Sequence, residues 1–279
     1  MPVKQALRGW RPWAAAVLAA AALATAGLTA TGLAGGSSPA ETSAPQPPPA
    51  GAGFDYQIGE PYPPAAGVGI VARDRGAAPA DGLYNICYVN AFQAQPAETG
   101  RWPADLLLRD ADGEVVMDPD WDEPLLDIGT AAKRARVAAK VNAWTDGCAD
   151  KGFDAVEPDN YDSYTRSGGL LTAGDAKAFL TLLASHAHAR GLAIGQKNTA
   201  ELAGSADAVG LDFAVAEECG QYEECGTYAK AFDDHVVVIE YTAGGLERAC
   251  AKWGDRLSVV RRDLEVTARG GQEYVRATC

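Results

Sequence analysis

The sequence predicts an α/β fold, a single (β/α)8 barrel of the TIM type spanning residues 54–279. Three observations predict it. From Phe54 onward, short apolar runs alternate with longer helical segments, the pattern of parallel strands joined by helical crossovers. Eight such runs fit into roughly 225 residues, near the usual barrel length of about 250. Polar side chains follow runs three to seven, and in a barrel the carboxyl ends of the strands open on one face.

Residues 1–36 read as an export signal. Lys4, Arg8 and Arg11 form a basic start, Ala14–Leu28 is apolar and alanine-rich, and small residues follow to Gly36. A retained membrane anchor is the other reading, disfavoured by the many small alanines. No cysteine precedes Cys87, which excludes a lipoprotein anchor. Residues 37–53, rich in Pro, Ala, Ser and Gly, read as a disordered linker.

Within the domain the expected strands are Val68–Val71, Leu83–Val89, Leu125–Ile128, Phe153–Val156, Leu192–Gln196, Leu211–Ala216, Val236–Ile239 and Leu257–Val260. Thr130 is placed to cap a helix running to about Lys151, and Thr172 one running to Arg190, where Gly191 stops it. Leu246–Trp253 forms a last helix. A doubly wound open sheet is the rival architecture, but the chain lacks the GxGxxG turn by which such sheets often hold a nucleotide. Gly244-Gly245 reads as a turn before the last helix.

The formal net charge is -13, and removing the basic first segment makes the rest more acidic still. Such a chain repels nucleic-acid phosphates and anionic lipid heads, so neither is an expected partner, apart from the possible N-terminal anchor. A cationic partner is favoured. The chain is read as a secreted, extracellular monomer without a cofactor. Six cysteines in an exported domain suggest three disulfides, with fifteen connectivities open to them. The short separation of Cys219 and Cys225 points to one bridge. Cys87 with Cys148 and Cys250 with Cys279 are the expected remainder, which spacing alone does not decide. No metal site is expected. His186, His188 and His235 are not beside the cysteines, and Asp118, Asp120, Asp122 and Glu123 lack the glycine of a calcium loop.

Gly152–Tyr164 organises the chemistry. A short strand ends in Glu157, Asp159, Asn160 and Asp162. Two carboxylates flanking a sugar ring suffice to break a glycosidic bond, provided one is protonated and one ionised. Asp159 and Glu217, from strands four and six, are the expected pair, with Glu157 and Glu218 next in line. Lys197 would keep Asp159 ionised, and Glu218 beside Glu217 would raise the latter toward an acid's role. Tyr88, Asp127, Lys197, Asn198, Glu218, Glu240 and Tyr241 join Glu157, Asn160 and Asp162 as expected substrate contacts. Asn90, Tyr161, Tyr164 and Tyr222 also suit sugar rings. A non-catalytic carbohydrate-binding or cell-surface attachment barrel is the alternative, though pure binding does not require paired acids.

Gly152-Phe-Asp-Ala-Val-Glu-Pro-Asp-Asn160 resembles the signature of glycoside hydrolase family 114, the endo-α-1,4-polygalactosaminidases. Ile86-Cys-Tyr88, Leu126-Asp-Ile128, Ala187–Leu192, Lys197-Asn198, Asp212–Val215, Glu217, Cys219, Glu224-Cys225 and Glu240-Tyr241 match further segments in order, from about Phe54 to Tyr241. The resemblance implies a TIM barrel that cuts α-1,4-linked galactosaminogalactan, a partly cationic polymer. By motif its catalytic acids carry over to Asp159 and Glu217. The chain departs from the family where Ala216-Glu217-Glu218-Cys219 stands for Asn-Glu-Gln-Cys, and at Val89-Asn90-Ala91-Phe92. The acids are kept while the substrate-side loops differ.

Overall fold

The structure, a computed structural model, describes residues 44–279. The expected export signal or anchor at residues 1–36 and residues 37–43 of the expected linker lie outside the described residues. The rest of that linker runs along the domain. Tyr84 Oη donates to the Gln46 carbonyl and His235 contacts the Pro48 carbonyl.

Eleven strands follow in chain order. They are β1 (Gly53–Gln57), β2 (Val68–Asp74), β3 (Tyr84–Asn90), β4 (Met117–Asp118), β5 (Glu123–Pro124), β6 (Ala155–Asp159), β7 (Ala193–Lys197), β8 (Phe213–Glu217), β9 (Val236–Glu240), β10 (Ser258–Arg262) and β11 (Arg276–Thr278). Five helices accompany them: α1 (Ala131–Lys151), α2 (Ala173–Ala189), α3 (Ala206–Val209), α4 (Cys225–Ala231) and α5 (Ala243–Trp253). Nine strands form one sheet in the order β1-β2-β3-β6-β7-β8-β9-β10-β11. The first eight are parallel, β11 pairs antiparallel with β10, and β10 lies beside β1, so the sheet nearly closes into a barrel.

The count of eight parallel strands holds, but their assignment shifts by one. Leu125–Ile128, expected as the third barrel strand, makes only isolated antiparallel bridges, Leu125 to Gln93 and Leu126 to Leu107. It belongs to a long excursion between β3 and α1 that also carries the β4–β5 ribbon. The missing barrel strand is β1, at the very start of the expected domain, where no strand was expected. Its signal is period two: Phe54 and Tyr56 alternate with Asp55 and Gln57.

That alternation fixes what faces inward. Phe54, Tyr56, Ile70, Ala72, Ile86, Ala155, Ala193, Phe213, Val215, Val237, Ile239 and Val260 pack into one buried cluster, the barrel interior. Gly195 leaves room there for the Phe213 ring, which a Cβ would meet at 2.9 Å. The opposite strand faces pack with α1, α2 and α4 in a larger apolar layer. α1 and α2 begin where the sequence places caps: Thr130 accepts from Lys133 N, and Thr172 forms a capping box with Asp175.

No helix follows β1, β2 or β10 among the described residues, and there the outer face is polar. The buried Asp55 carboxylate accepts from Gln57 Nε2 and Tyr62 Oη, each at 3.0 Å. Arg276 Nε stands 3.3 Å from it, and Arg276 Nη2 donates to the Phe54 carbonyl. A tail strand and a charge cluster thus cover the seam where a helix would otherwise pack. Disulfides tie Cys87 to Cys148, Cys219 to Cys225, and Cys250 to Cys279, linking β3 to α1, closing the loop after β8, and fastening the C-terminus to α5.

Candidate active site

Strand parity delivers the site. In β6 the inward set Ala155, Glu157, Asp159 ends in acids; in β7 the set Ala193, Gly195, Lys197 ends in a lysine; in β8 the set Phe213, Val215, Glu217 ends in an acid. Tyr88 and Asn90 of β3, Tyr56 of β1 and Tyr241 after β9 share this inward register. All but Glu157 and the strand-interior residues line one cleft of about 430 Å³ at the carboxyl end of the barrel.

Lys197 is the hub. It is buried, and its Nζ lies 2.9 Å from Glu157 Oε1, 3.1 Å from Asp159 Oδ1 and 3.4 Å from Glu217 Oε2. Burial opposes its charge, but the three carboxylates outweigh that and hold its pKa well above the usual lysine range. It is an ammonium.

Three donors favour the anionic form of Asp159. Tyr88 Oη donates to Oδ2 at 2.6 Å, and the Asn160 amide and Lys197 both donate to Oδ1. Burial pushes the carboxyl up, but Lys197 and these hydrogen bonds prevail and hold it below the usual range. Burial, followed by the Asp159 charge, pushes the Tyr88 phenol far up, so it stays a donor.

Glu217 is held by different partners. Asn198 Nδ2 donates to Oε2 at 2.9 Å, while Asn198 Oδ1 accepts from the Glu217 amide, a two-point clamp. Tyr241 Oη donates to Oε1. Asn198 reaches this position because it leaves β7 in the left-handed region, φ 49°.

Of the expected contacts, the structure brings Tyr88, Asn160, Asp162, Lys197, Asn198 and Tyr241 to the cleft with Asp159 and Glu217. Asp162 pairs with Arg166 at its rim. Glu218 lines an adjoining hollow instead. Three expected contacts lie outside the cleft. Glu157 is wholly buried beneath Lys197, where Tyr56 and the ammonium take Oε1. Glu240 lies on the outward parity of β9, is wholly buried, and accepts from the Gly220 amide at 2.7 Å. Asp127 pairs with Lys133 in a separate hollow on the far side of the excursion. None of the three lines the cleft. Tyr161 is likewise buried against Phe92, and Tyr164 donates to Glu201.

The cleft also recruits Tyr56, Gln95, Trp121 and Arg166, which sequence reasoning passed over, and Glu123 of the acidic run. Trp121 sits in the acidic run once weighed for calcium. There the Asp118 carboxylate accepts from Gln93 and the Asp120 amide and faces Arg166, and Glu123 accepts from Asn90. Protein donors already occupy these acids. Cys219, Cys225 and Glu240 come close together, but both sulfurs are spent in a disulfide and offer no thiolate.

A family model described as glycoside-hydrolase family GH114 matches residues 35–279. The crystal structure of Aspergillus fumigatus Ega3 in complex with galactosamine is 26% identical, with a TM-score of 0.67, over 83% of this chain and 97% of that one. The glycoside hydrolase domain of PelA from Pseudomonas aeruginosa, 15% identical with a TM-score of 0.52, shares the fold over 81% of this chain and 97% of its own. No curated protein sequence gives a significant match.

Proposed function

The chain belongs to glycoside hydrolase family GH114, and from that membership we propose that it is a secreted endo-α-1,4-polygalactosaminidase, with Asp159 as nucleophile and Glu217 as general acid and base. The observation that carries the assignment is Lys197, whose ammonium contacts both carboxylates from below. Asp159, kept anionic by Lys197, Tyr88 and the Asn160 amide, is poised for attack on C1.

In the first half-reaction Glu217 gives its proton to the glycosidic oxygen as the C1–O bond breaks, and Asp159 bonds to C1. In the second, Glu217 takes a proton from water, whose oxygen displaces Asp159. Two inversions at C1 restore the α configuration. Substrate assistance is disfavoured on stereochemical grounds. In an α-galactosaminide the C2 nitrogen and the leaving oxygen are cis, so an acetamido group has no line of attack from the opposite face.

Galactosamine polymer suits the cleft electrostatically. Eight carboxylates line it against two cationic side chains, Arg166 and Lys197, which favours sugars bearing ammonium groups. The galactosamine bound to the 26%-identical relative points the same way. Three disulfides among the described residues fit an oxidising, extracellular setting. Incubating the protein with partly deacetylated galactosaminogalactan should yield shortened oligosaccharides, and Asp159→Asn and Glu217→Gln should abolish them with folding intact. Near-normal turnover in either variant would assign the role elsewhere.

A further inference from the structure

Beside the cleft, on the Glu217 side, lies a second hollow of about 360 Å³. It shares Trp121, Asn198, Glu217, Tyr241 and Leu264 with the cleft, so the two are continuous past the Glu217 carboxylate. Asp159 and Lys197 line the cleft but not the hollow. The three most exposed large apolar side chains of the described residues, Tyr222 at 64%, Leu264 at 59% and Trp121 at 55%, all line this one hollow. Apolar surface gathered from three separate loops at one place marks a binding surface.

We propose that this hollow is the leaving-group subsite, and that it seats a hexosamine unit with a free amino group. The proposal rests on the reading of Glu217 as general acid. A group that protonates the glycosidic oxygen must stand between the two sugars it separates, and Glu217 is the carboxylate common to both spaces. The sugar bonded by Asp159 then occupies the cleft, and the departing one lies over Tyr222 and Trp121, whose faces match the C–H face of a pyranose. Glu201, Glu218 and Glu224 line the hollow and no lysine or arginine does, so an ammonium is favoured over an acetamide.

The platform is fixed before substrate arrives. Tyr222 lies in the loop closed by Cys219–Cys225, and its amide donates to the Glu218 carbonyl at 2.9 Å. Arg248 Nε holds the Gly220 carbonyl, and the buried Glu240 accepts from the Gly220 amide. Little backbone ordering of this loop remains to oppose binding.

The test compares a galactosamine oligosaccharide with the α-fluoride of the same sugar, whose one-atom leaving group cannot reach the hollow. Tyr222→Ala should lower kcat/KM for the oligosaccharide about five- to tenfold more than for the fluoride. Equal losses on both, or no loss on the oligosaccharide, would overturn the subsite. An oligosaccharide acetylated at the departing unit should be cut more slowly than its free amine, and equal rates would overturn the charge assignment. Should the wild-type protein cut neither substrate, the hydrolytic reading fails by itself. The hollow is then judged by calorimetric binding of the oligosaccharide, which Tyr222→Ala weakens if a sugar sits there and leaves unaltered if none does.

Discussion

Lys197 Nζ stands 2.9 Å from Glu157 Oε1, with both side chains sealed from solvent at the floor of the cleft. Glu157 cannot touch a substrate, yet it offsets part of the charge that Lys197 brings to Asp159 and Glu217. Tyr56 Oη donates to the same Glu157 oxygen at 2.8 Å, which fixes the pair laterally. The ammonium is thereby held at one place between Asp159 and Glu217.

Replacing Lys197 by Met should therefore harm both stability and turnover. Three carboxylates would remain around an apolar side chain, and breaking a buried pair costs about 3–5 kcal/mol. Urea unfolding should show that loss. At a temperature where the variant is folded, kcat should fall by at least about a hundredfold, because Asp159 loses its main stabilising charge. A stable variant of normal kcat would remove Lys197 from the mechanism.

Glu157 makes a pH prediction with a definite sign. Burial pushes its carboxyl up to about 7, with Lys197 pulling against it. Its folded pKa lies above the unfolded value near 4.3, so the folded state binds the extra proton between those limits. This group's contribution to stability is fully present below about 4.3 and is lost as pH rises through about 7. Glu157→Gln removes the titration. The fall in Tm from pH 4.5 to pH 8 should be smaller in the variant than in wild type, measured by scanning calorimetry. An identical fall in both would place the Glu157 carboxyl at an ordinary pKa.

Strand parity explains both what the sequence disclosed and what it hid. Asp159, Lys197 and Glu217 were legible because each closes an apolar run on the face that carries its strand's inward residues. The same rule excludes Glu240, which follows the inward Ile239 and faces out, while Tyr241 faces in. Asp127 misled because Leu125–Ile128 has strand composition but pairs inside an excursion, and pairing is non-local. β1 was hidden by the polar Asp55 and Gln57, whose outward faces meet arginines and a tail strand in place of a helix. Tyr222 and Trp121 come from loops, where no periodicity announces a shared surface.

The two disulfides nearest the site should separate stability from function. Cys87–Cys148 spans 61 residues and Cys219–Cys225 only 6. Loop-closure entropy gives about 4 kcal/mol for the first and about 2 kcal/mol for the second. Replacing Cys87 and Cys148 by Ser should lower Tm more than replacing Cys219 and Cys225. The second pair should instead cost more kcat/KM on polymer, since it shapes the loop beside Glu217 that carries Tyr222. A reversed order in either measurement would show that the short bridge is a stability element first.

The stereochemical outcome follows from the shared ammonium. Contacts of 3.1 and 3.4 Å to one ammonium keep the contacting oxygens of Asp159 and Glu217 within about 6.5 Å of each other. That short reach favours the spacing of about 5–5.5 Å of retaining carboxylate pairs over the roughly 6.5–9.5 Å of inverting pairs. Proton NMR of the first product should show the α anomer, with β appearing only by mutarotation; β first would mean inversion. Azide separates the two acids' roles. With an activated galactosaminide, Glu217→Ala should be rescued to an α-glycosyl azide, because azide attacks the Asp159-linked intermediate. Asp159→Ala should give the β-azide, because azide replaces the nucleophile itself. The opposite pairing of variant and product would exchange the roles of Asp159 and Glu217.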